Sequence, residues 1–214
     1  MATPHRTLRT PAAPAPRPPC PALSVPSRTG APPPHTAAAV LDELLAGNAR
    51  YADGCPRRRG RPAGRGPRAV VVGCVDAPVP PELVFDQPLG ALLVSRTAGQ
   101  VLDEAVLGAV QYGVQELGVP LVLVLGHDRC AAVAATLERL RTGAPVPGHL
   151  ELLVDEIAPA ARRTRGRPGD WAEHTLRAHT AWVRDAIRAD PAFAAAHVAA
   201  ARLDAASGLV SLLP

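Results

Sequence analysis

Four residues of the types that bind metal ions occur in two short motifs, each directly after an apolar run. Cys74 and Asp76 follow the run AVVVG, and His127 and Cys130 follow the run LVLVLG. Short apolar runs of this kind are typical of buried strands in a parallel sheet. Because α/β proteins bind ligands at the carboxyl ends of such strands, both motifs lie where a ligand site is expected.

The spacing within each motif allows its side chains to converge on one cation. Alternation along a strand places Cys74 and Asp76 on the same side, and a turn can direct His127 and Cys130 to one centre. Two thiolates and one imidazole form a known ligand set of catalytic zinc. Asp76 is then either a fourth ligand or a polar neighbour of an open position. The alternative is two cysteines buried as small apolar side chains and a histidine hydrogen-bonded in the core.

Alternating strands and helices must position these motifs. We predict strands at 69–73, 91–95, 121–125 and 198–203, and a terminal hairpin or edge strand at 209–213. We predict helices at 37–51, 80–85, 101–117, 131–140, 150–163 and 170–189, with Thr36 as the N-cap of the first. This order predicts an α/β fold: a mainly parallel central sheet flanked by helices, with an N-terminal helical arm and a C-terminal edge strand.

The length of the chain and its composition indicate one folded domain behind a tail. The 214 residues suit a single domain with a full core. Residues 1–35 are rich in Pro, Ala and Arg, and we predict that they form a disordered tail. Residues 36–214 are predicted to be the single zinc-binding domain. Hydrophobic residues make up 47% of the chain but aromatic residues only 3%, so Ala, Val and Leu must fill the core.

The formal net charge of +4 raises the possibility of a nucleic-acid partner. The positive charge is concentrated in the tail and in the stretch RRRGRPAGRGPR, where no aromatic residues interleave with the arginines. We therefore favour a solvated Arg-rich loop and expect no nucleic-acid partner. The sequence has neither the GxxxxGK[ST] nor the GxGxxG motif of nucleotide-binding enzymes.

The cysteine count and the apolar runs indicate a compartment. Four cysteines are too few for a disulfide framework in a chain of this length, so we expect a reducing, cytoplasmic environment. No apolar run approaches the ~18 residues of a membrane span. The N-terminus lacks the continuous apolar region of a signal peptide, and we expect no membrane partner.

Longer stretches of the chain, from about Thr36 to Leu213, resemble β-class carbonic anhydrases. LDELLAGNARYADG resembles the N-terminal helix of that family, and CVDAPVPPELVFDQPLG resembles its first zinc motif. SRTAGQVLDEAVLGAVQYGVQELGVPLVLVLGHDRCAAV resembles its central helix and second zinc motif. LDAASGLVSLL is similar to its closing strand.

The resemblance implies a Zn²⁺ ion held by Cys74, His127 and Cys130. It also implies that Asp76 either binds zinc in a closed state or withdraws to admit water. The implied function is reversible hydration of carbon dioxide to bicarbonate by a zinc-bound hydroxide, the lyase reaction of a carbonic anhydrase, or carbonate dehydratase. Gln87 matches a position near the substrate pocket of some members. Homodimers or larger homo-oligomers, with active sites near subunit interfaces, are expected from the same resemblance.

One residue of the first zinc motif departs from the family pattern Cys-x-Asp-x-Arg, because Pro78 stands at the arginine position. In the family that arginine forks onto the aspartate and keeps it off the metal. Proline has no side-chain donor, so we expect Asp76 to be freer to bind zinc and close the site. Arg96 and Arg129 are the candidates to replace the missing contact.

The departures from the pattern leave alternative functions open. Ala91 and Ala131 also differ from the family, which usually has aspartate and glycine at these positions. The chain is either an active zinc lyase or a catalytically weak or inactive zinc-binding pseudoenzyme that acts as a regulatory or interaction module. A third alternative keeps the fold and changes the substrate, for example to a sulfur analogue of carbon dioxide, but no residue specifically selects it.

Overall fold

The computed structural model describes residues 36–57 and 66–214, and the apolar runs form a sheet at its centre. The strands are β1 (Ala69–Cys74), β2 (Leu92–Thr97), β3 (Leu121–His127), β4 (His197–Leu203) and β5 (Val210–Leu212). Their order in the sheet is β2-β1-β3-β4-β5. β1 to β4 are parallel, and β5 pairs antiparallel with β4 at one edge. The predicted α/β fold with a mainly parallel sheet is confirmed.

The helices that connect the strands begin at the expected places in most cases. They are α1 (Ala37–Ala52), α2 (Pro81–Val84), α3 (Glu104–Gln111), α4 (Ala131–Thr142), α5 (Leu150–Thr164) and α6 (Trp171–Ala189). The Thr36 hydroxyl accepts a hydrogen bond from the backbone N–H of Ala39, 3.2 Å away, and so caps α1 as predicted. The Asp170 carboxylate caps α6 in the same way through the N–H of Ala172.

Both faces of the sheet are covered, which explains why its strands are continuously apolar. Val71 of β1 packs in a cluster with Val40 of α1, whereas its neighbour Val70 packs in a cluster on the opposite face with Val110 of α3. Every residue of β1 and β3 is buried. Alternation along each strand therefore fills two cores, one on each side of the sheet.

The register of the parallel strands brings the two metal-type motifs to one edge of the sheet. Gly73 of β1 is paired with Leu125 of β3, so Cys74 follows on one strand where Gly126 and His127 follow on the other. On the outer side, Cys74 is paired with Thr97 of β2. The carboxyl ends of β1, β2 and β3 thus meet, as the sequence pattern predicted.

The helix predicted over 101–117 begins three residues later than predicted, and its second half is π-helical. Asp103 is its N-cap and accepts a hydrogen bond from the N–H of Val106 at 2.8 Å, so that α3 begins only at Glu104. The residues before it form a 3₁₀ turn, Ala98–Gln100, and α3 continues into a π-helical turn, Tyr112–Glu116. A prediction from apolar spacing alone does not detect the N-cap residue. It also cannot distinguish an α-helix from a π-helical turn that continues it.

Two predicted regions lie outside the described residues: the tail at 1–35 and residues 58–65 of the Arg-rich stretch. Within the described ranges, none of the helices has the length and apolar character needed to cross a membrane.

Candidate metal centre

Three of the four predicted metal-binding side chains converge at the carboxyl edge of the sheet. Cys74 is the last residue of β1, His127 is the last residue of β3, and Cys130 is the N-cap of α4. Their ligand atoms all lie within 4.8 Å of one another, and all three residues are buried. We call Cys74, His127 and Cys130 the metal cluster. Spacings of this size allow one ion to contact all three atoms.

The imidazole of His127 is held in the form that binds a metal. Its Nδ1 lies 2.8 Å from the backbone oxygen of Asp128, which can only accept, so Nδ1 carries the hydrogen. Nε2 therefore has a free lone pair, and it is buried without a hydrogen-bond partner in the described part of the chain. Burial acts to lower the pKa of His127, but the Cys74 thiolate beside it prevails and raises that pKa.

The sulfur of Cys74 is the acceptor at the centre of the cluster. The backbone N–H of Gly99 donates to it at 3.1 Å and that of Asp76 at 3.3 Å. The neighbouring thiol of Cys130 lowers the pKa of Cys74 to about 4, although burial opposes this shift. The same pairing raises the pKa of Cys130. Cys74 is therefore a thiolate, the form in which cysteine binds a metal.

The described cysteines differ in oxidation state. Cys74 and Cys130 are free thiols, and their sulfur atoms lie 3.7 Å apart, far beyond the ~2.05 Å of a disulfide bond. Cys55 is disulfide-bonded. The cysteine count had favoured a reducing compartment, in which this bond was not expected.

Asp76 lies next to the metal cluster and is not one of its three members. One of its carboxylate oxygens, Oδ2, accepts a hydrogen bond of 2.7 Å from the backbone N–H of Ala131. Ala131 is the first residue of α4, whose positive N-terminal end attracts an anion. The carboxylate of Asp76 is thus held at the start of α4, beside the three cluster residues.

Neither of the two arginines that were candidates to replace the missing family contact reaches Asp76. Arg96 donates instead to three backbone oxygens of the turn after β1, those of Cys74, Val75 and Ala77. Arg129 pairs with Asp128, and 72% of its side chain is exposed. Neither candidate therefore replaces the contact that Pro78 cannot make. A backbone N–H occupies that place, and Arg96 fixes the turn that carries Asp76.

Gln87 belongs to a different polar group. It accepts a hydrogen bond from Arg68 at 2.7 Å and donates to the backbone oxygen of Phe85 at 2.9 Å. Arg68 also forms a bidentate pair with Glu43. We call Glu43, Arg68 and Gln87 the Arg68 cluster. The cavity beside it leaves no space for a water molecule, so within the described residues Gln87 does not face an open pocket.

A larger cavity of about 660 Å³ adjoins the metal cluster. His127 and Cys130 line it, together with Arg129 of the same turn, Glu173 of α6 and Arg202 of β4. Arg202 and Glu173 form an ion pair of 2.8 Å. The cavity gives small molecules access to two of the three cluster residues.

Sequence reasoning missed the groups that surround the cluster. Gly99 and Ala131 act through their backbone N–H groups, which any residue type except proline would offer. His179 of α6 contacts Gly99, which is 80 residues away along the chain, so nothing in the sequence indicates this contact. The one signal available in the sequence was the glycine itself, because the turn after β2 places Gly99 at a φ of +67°, which favours glycine.

Comparison with known proteins identifies the family. The sequence profile described as carbonic anhydrase matches residues 69–203, which is more than half of the chain. The chain belongs to the β-class carbonic anhydrase family. The matched residues contain the complete metal cluster.

Curated relatives and solved structures agree with this membership. The chain is 43% identical to carbonic anhydrase 2 of Mycobacterium tuberculosis over 130 residues, which are 57% of this chain and 63% of the relative. It is 44% identical to a carbonic anhydrase of Mycolicibacterium smegmatis, again over 63% of the relative's length. Two folds match at lower identity. They are the Coccomyxa β-carbonic anhydrase (22% identity, TM-score 0.61, 82% of each chain), and a tetrameric β-carbonic anhydrase of Sordaria macrospora (16%, TM-score 0.62, 82% of this chain and 94% of that one).

Proposed function

We propose that Cys74, His127 and Cys130 hold a zinc ion and that the chain catalyses the reversible hydration of carbon dioxide to bicarbonate. The observation that carries this proposal is the buried, unpartnered Nε2 of His127, which lies within 4.8 Å of two cysteine sulfurs. Zinc in such a site lowers the pKa of a bound water towards neutrality and so supplies hydroxide, the nucleophile that carbon dioxide requires. Membership of the carbonic anhydrase family supports the same reaction.

The surrounding residues keep a coordination position open for the reacting water. The Ala131 N–H holds Oδ2 of Asp76, and Arg96 ties down the backbone of the turn that carries this aspartate. Oδ1 of Asp76 then remains available to accept a hydrogen bond from the reacting water and to orient it. Carbon dioxide is small and apolar, and it needs little beyond access and an oriented nucleophile.

Stopped-flow hydration of carbon dioxide tests this function on protein whose zinc content has been measured. We expect fast turnover by the parent and its loss in the His127→Ala variant, together with the zinc. Glu138→Gln is a matched control, because Glu138 is an exposed residue of α4 whose side chain pairs with Arg141 away from the cluster. Zinc-loaded parent protein without turnover at any pH would refute the catalytic function.

A catalytically inactive, zinc-binding module is the second candidate, and one observation favours it. Pro78 has no donor for Asp76, and no guanidinium of the described residues takes its place. The variant Pro78→Arg separates the two functions. If Ala131 already holds Asp76, the variant hydrates carbon dioxide no faster than the parent. If the site is closed for want of the arginine, the parent is inactive and the variant gains activity.

The assembly and cellular setting are parts of the same proposal. We propose a homo-oligomer, supported by the tetrameric state named for the Sordaria macrospora relative. Exposed apolar side chains, such as Leu209 before the edge strand β5 and Leu212 at its end, agree with a surface that is covered in an oligomer. Light scattering coupled to size exclusion measures this state. A cytoplasmic location and a single zinc domain over 36–214 remain predictions from the sequence.

A further inference from the structure

A buried histidine outside the metal cluster is connected to it through the backbone of one residue, Gly99. Nε2 of His179, on α6, lies 2.9 Å from the backbone oxygen of Gly99. The backbone N–H of the same Gly99 donates to the sulfur of Cys74 at 3.1 Å. We propose that His179 is a positioning residue of the metal site: it anchors the carbonyl of Gly99, and through the Cα of that residue it keeps the Gly99 N–H directed at the Cys74 sulfur. This inference rests on the proposed zinc site.

The protonation of His179 follows from its partner. A carbonyl oxygen only accepts, so Nε2 carries the hydrogen and donates it to Gly99. Burial lowers the pKa of His179 to about 4, against the hydrogen bond to Gly99, so the ring is neutral at physiological pH. The hydrogen bond therefore persists, with one direction, over the pH range in which carbon dioxide hydration is measured.

The other ring nitrogen indicates that this histidine is not present for packing alone. Nδ1 is buried and has no hydrogen-bond partner among the described residues. A buried polar atom without a partner is unfavourable, and an apolar side chain would avoid the cost. Trp182, one turn along the helix, stacks on the ring with centroids 6.0 Å apart and fixes its plane. A histidine at this position therefore carries the cost of an unpaired Nδ1. The hydrogen bond from Nε2 to Gly99 is the contact that offsets this cost.

Gly99 packs too closely against its neighbours to accept a side chain. Its φ of +67° is one that side chains rarely allow, and a Cβ there would lie 2.7 Å from Ile157 and 3.2 Å from Ala132. Its Cα therefore lies against both α4 and α5. A left-handed residue in a short 3₁₀ turn has no regular helical bonds to orient its carbonyl. The donor from α6 supplies that orientation.

A hydrogen bond to a metal-binding sulfur has two effects on the site. It holds the sulfur in position, and it withdraws negative charge from it, which leaves a bound ion a stronger Lewis acid. Removing the donor behind Gly99 should therefore weaken zinc binding and increase the charge that Cys74 donates. Changes in such outer-sphere partners typically cost about 10–100-fold in metal affinity or activity.

Three variants of His179 and one control test this role in the full chain. In His179→Gln the side-chain amide nitrogen falls near the place of Nε2 and keeps the donor. In His179→Asn it reaches only the place of Nδ1, and His179→Leu has no donor. Val183→Ala removes buried apolar contacts from the same helix without touching Gly99. We measure zinc affinity by competition with a chromophoric chelator, and the sulfur-to-metal absorption of each protein loaded with cobalt(II).

We expect the His179→Leu and His179→Asn variants to bind zinc about tenfold more weakly, or weaker still. Their sulfur-to-cobalt absorption should shift to lower energy. Gln should restore both towards the parent, and Val183→Ala should lower the unfolding temperature without moving the absorption. If His179→Leu does not fold, the comparison of Asn with Gln decides. Equal affinity and equal spectra in parent, Asn and Gln proteins overturn the inference. A parent that binds neither metal at the cluster instead refutes the proposed function.

Discussion

Two polar clusters, one partly buried and one buried, differ in whether their atoms have hydrogen-bond partners. In the Arg68 cluster, Arg68 donates to Glu43 and Gln87, and Gln87 donates to a backbone oxygen, so the polar groups satisfy one another. In the metal cluster, Nε2 of His127 is left without a partner. The satisfied cluster stabilises the fold where α1 meets the sheet. The unsatisfied cluster is the one that fits a ligand, because buried polar atoms are rarely left unpaired for structural reasons.

The largest expected difference between the clusters is in zinc binding. Cys130→Ala removes one of three ligand atoms, and we predict that the zinc content falls from about one ion per chain to near zero. Metal analysis of dialysed protein measures this. The matched change in the other cluster, Gln87→Leu, should leave the zinc content unchanged. Equal loss of zinc from Cys130→Ala and Gln87→Leu would show that the hydrogen-bond partners of the two clusters do not determine where the metal binds.

The next largest effect is expected at the hydrogen bond that holds Asp76. Ala131 is the first residue of α4, a position where proline is tolerated, and Cys130 before it already has the extended backbone that a following proline requires. Ala131→Pro therefore removes the N–H without disrupting the helix. We predict that Asp76 moves onto the metal and kcat/KM for hydration falls about 10–100-fold.

Ala131→Gly is the control for this change, because it keeps the N–H and removes only a methyl group. Its kcat/KM should stay near that of the parent, whereas the proline variant should lose activity at unchanged zinc content. Full activity in Ala131→Pro would mean that the backbone contact is not what keeps the coordination position open.

Stability of the metal-free protein should depend on pH through Cys74. Its folded pKa is lowered to about 4, against ~8.5 for a free cysteine. Between these values the unfolded chain binds a proton here that the folded chain does not, so the free energy of unfolding rises with pH. The contribution is fully present above the unfolded pKa and is lost as pH falls through the folded pKa. Urea denaturation at a series of pH values measures it.

Cys74→Ser supplies the comparison for the pH series, since serine does not titrate in this range. We expect its free energy of unfolding to rise less steeply over the same interval. Above about 8.5 the raised pKa of Cys130 acts in the opposite sense, because the unfolded chain then releases a proton that the folded chain keeps. Identical slopes for parent and variant would contradict the thiolate assignment.

The smallest effect is expected from the Arg68 cluster. Gln87→Leu leaves a largely buried guanidinium short of one acceptor, which costs about 1 kcal/mol of stability. Glu43 remains as a partner and limits the loss. We expect a small fall in the free energy of unfolding and unchanged hydration of carbon dioxide. A marked loss of activity in Gln87→Leu would instead support a place for Gln87 near the substrate pocket, as the sequence resemblance implied.

The sheet and the three cluster residues were predictable because each depends on local pattern. Continuous apolar runs mark strands that are buried on both faces, and parallel register brings their carboxyl ends together. Cys74 and His127 end such strands, and Cys130 begins the helix that follows. Residue type and position relative to an element were sufficient in these cases.

The contacts that tune the cluster could not be predicted, because they depend on backbone groups from distant parts of the chain. The donor to Asp76 is the backbone of Ala131, 55 residues away, and the donor to Gly99 is His179, 80 residues away. Arginine side chains were the candidate partners of Asp76 because charge is visible in a sequence. A backbone N–H is carried by almost every residue, and only its placement by the fold distinguishes one from another.

An anomalous difference map from crystals of the zinc-loaded chain is the most direct measurement of the proposed site. We predict one strong peak at ~2.3 Å from the sulfurs of Cys74 and Cys130 and ~2.0–2.1 Å from Nε2 of His127. Asp76 should remain on the Ala131 N–H, with a fourth position left for water. A peak at other residues, or an Asp76 carboxylate bound to the metal in its place, would contradict the open three-residue site.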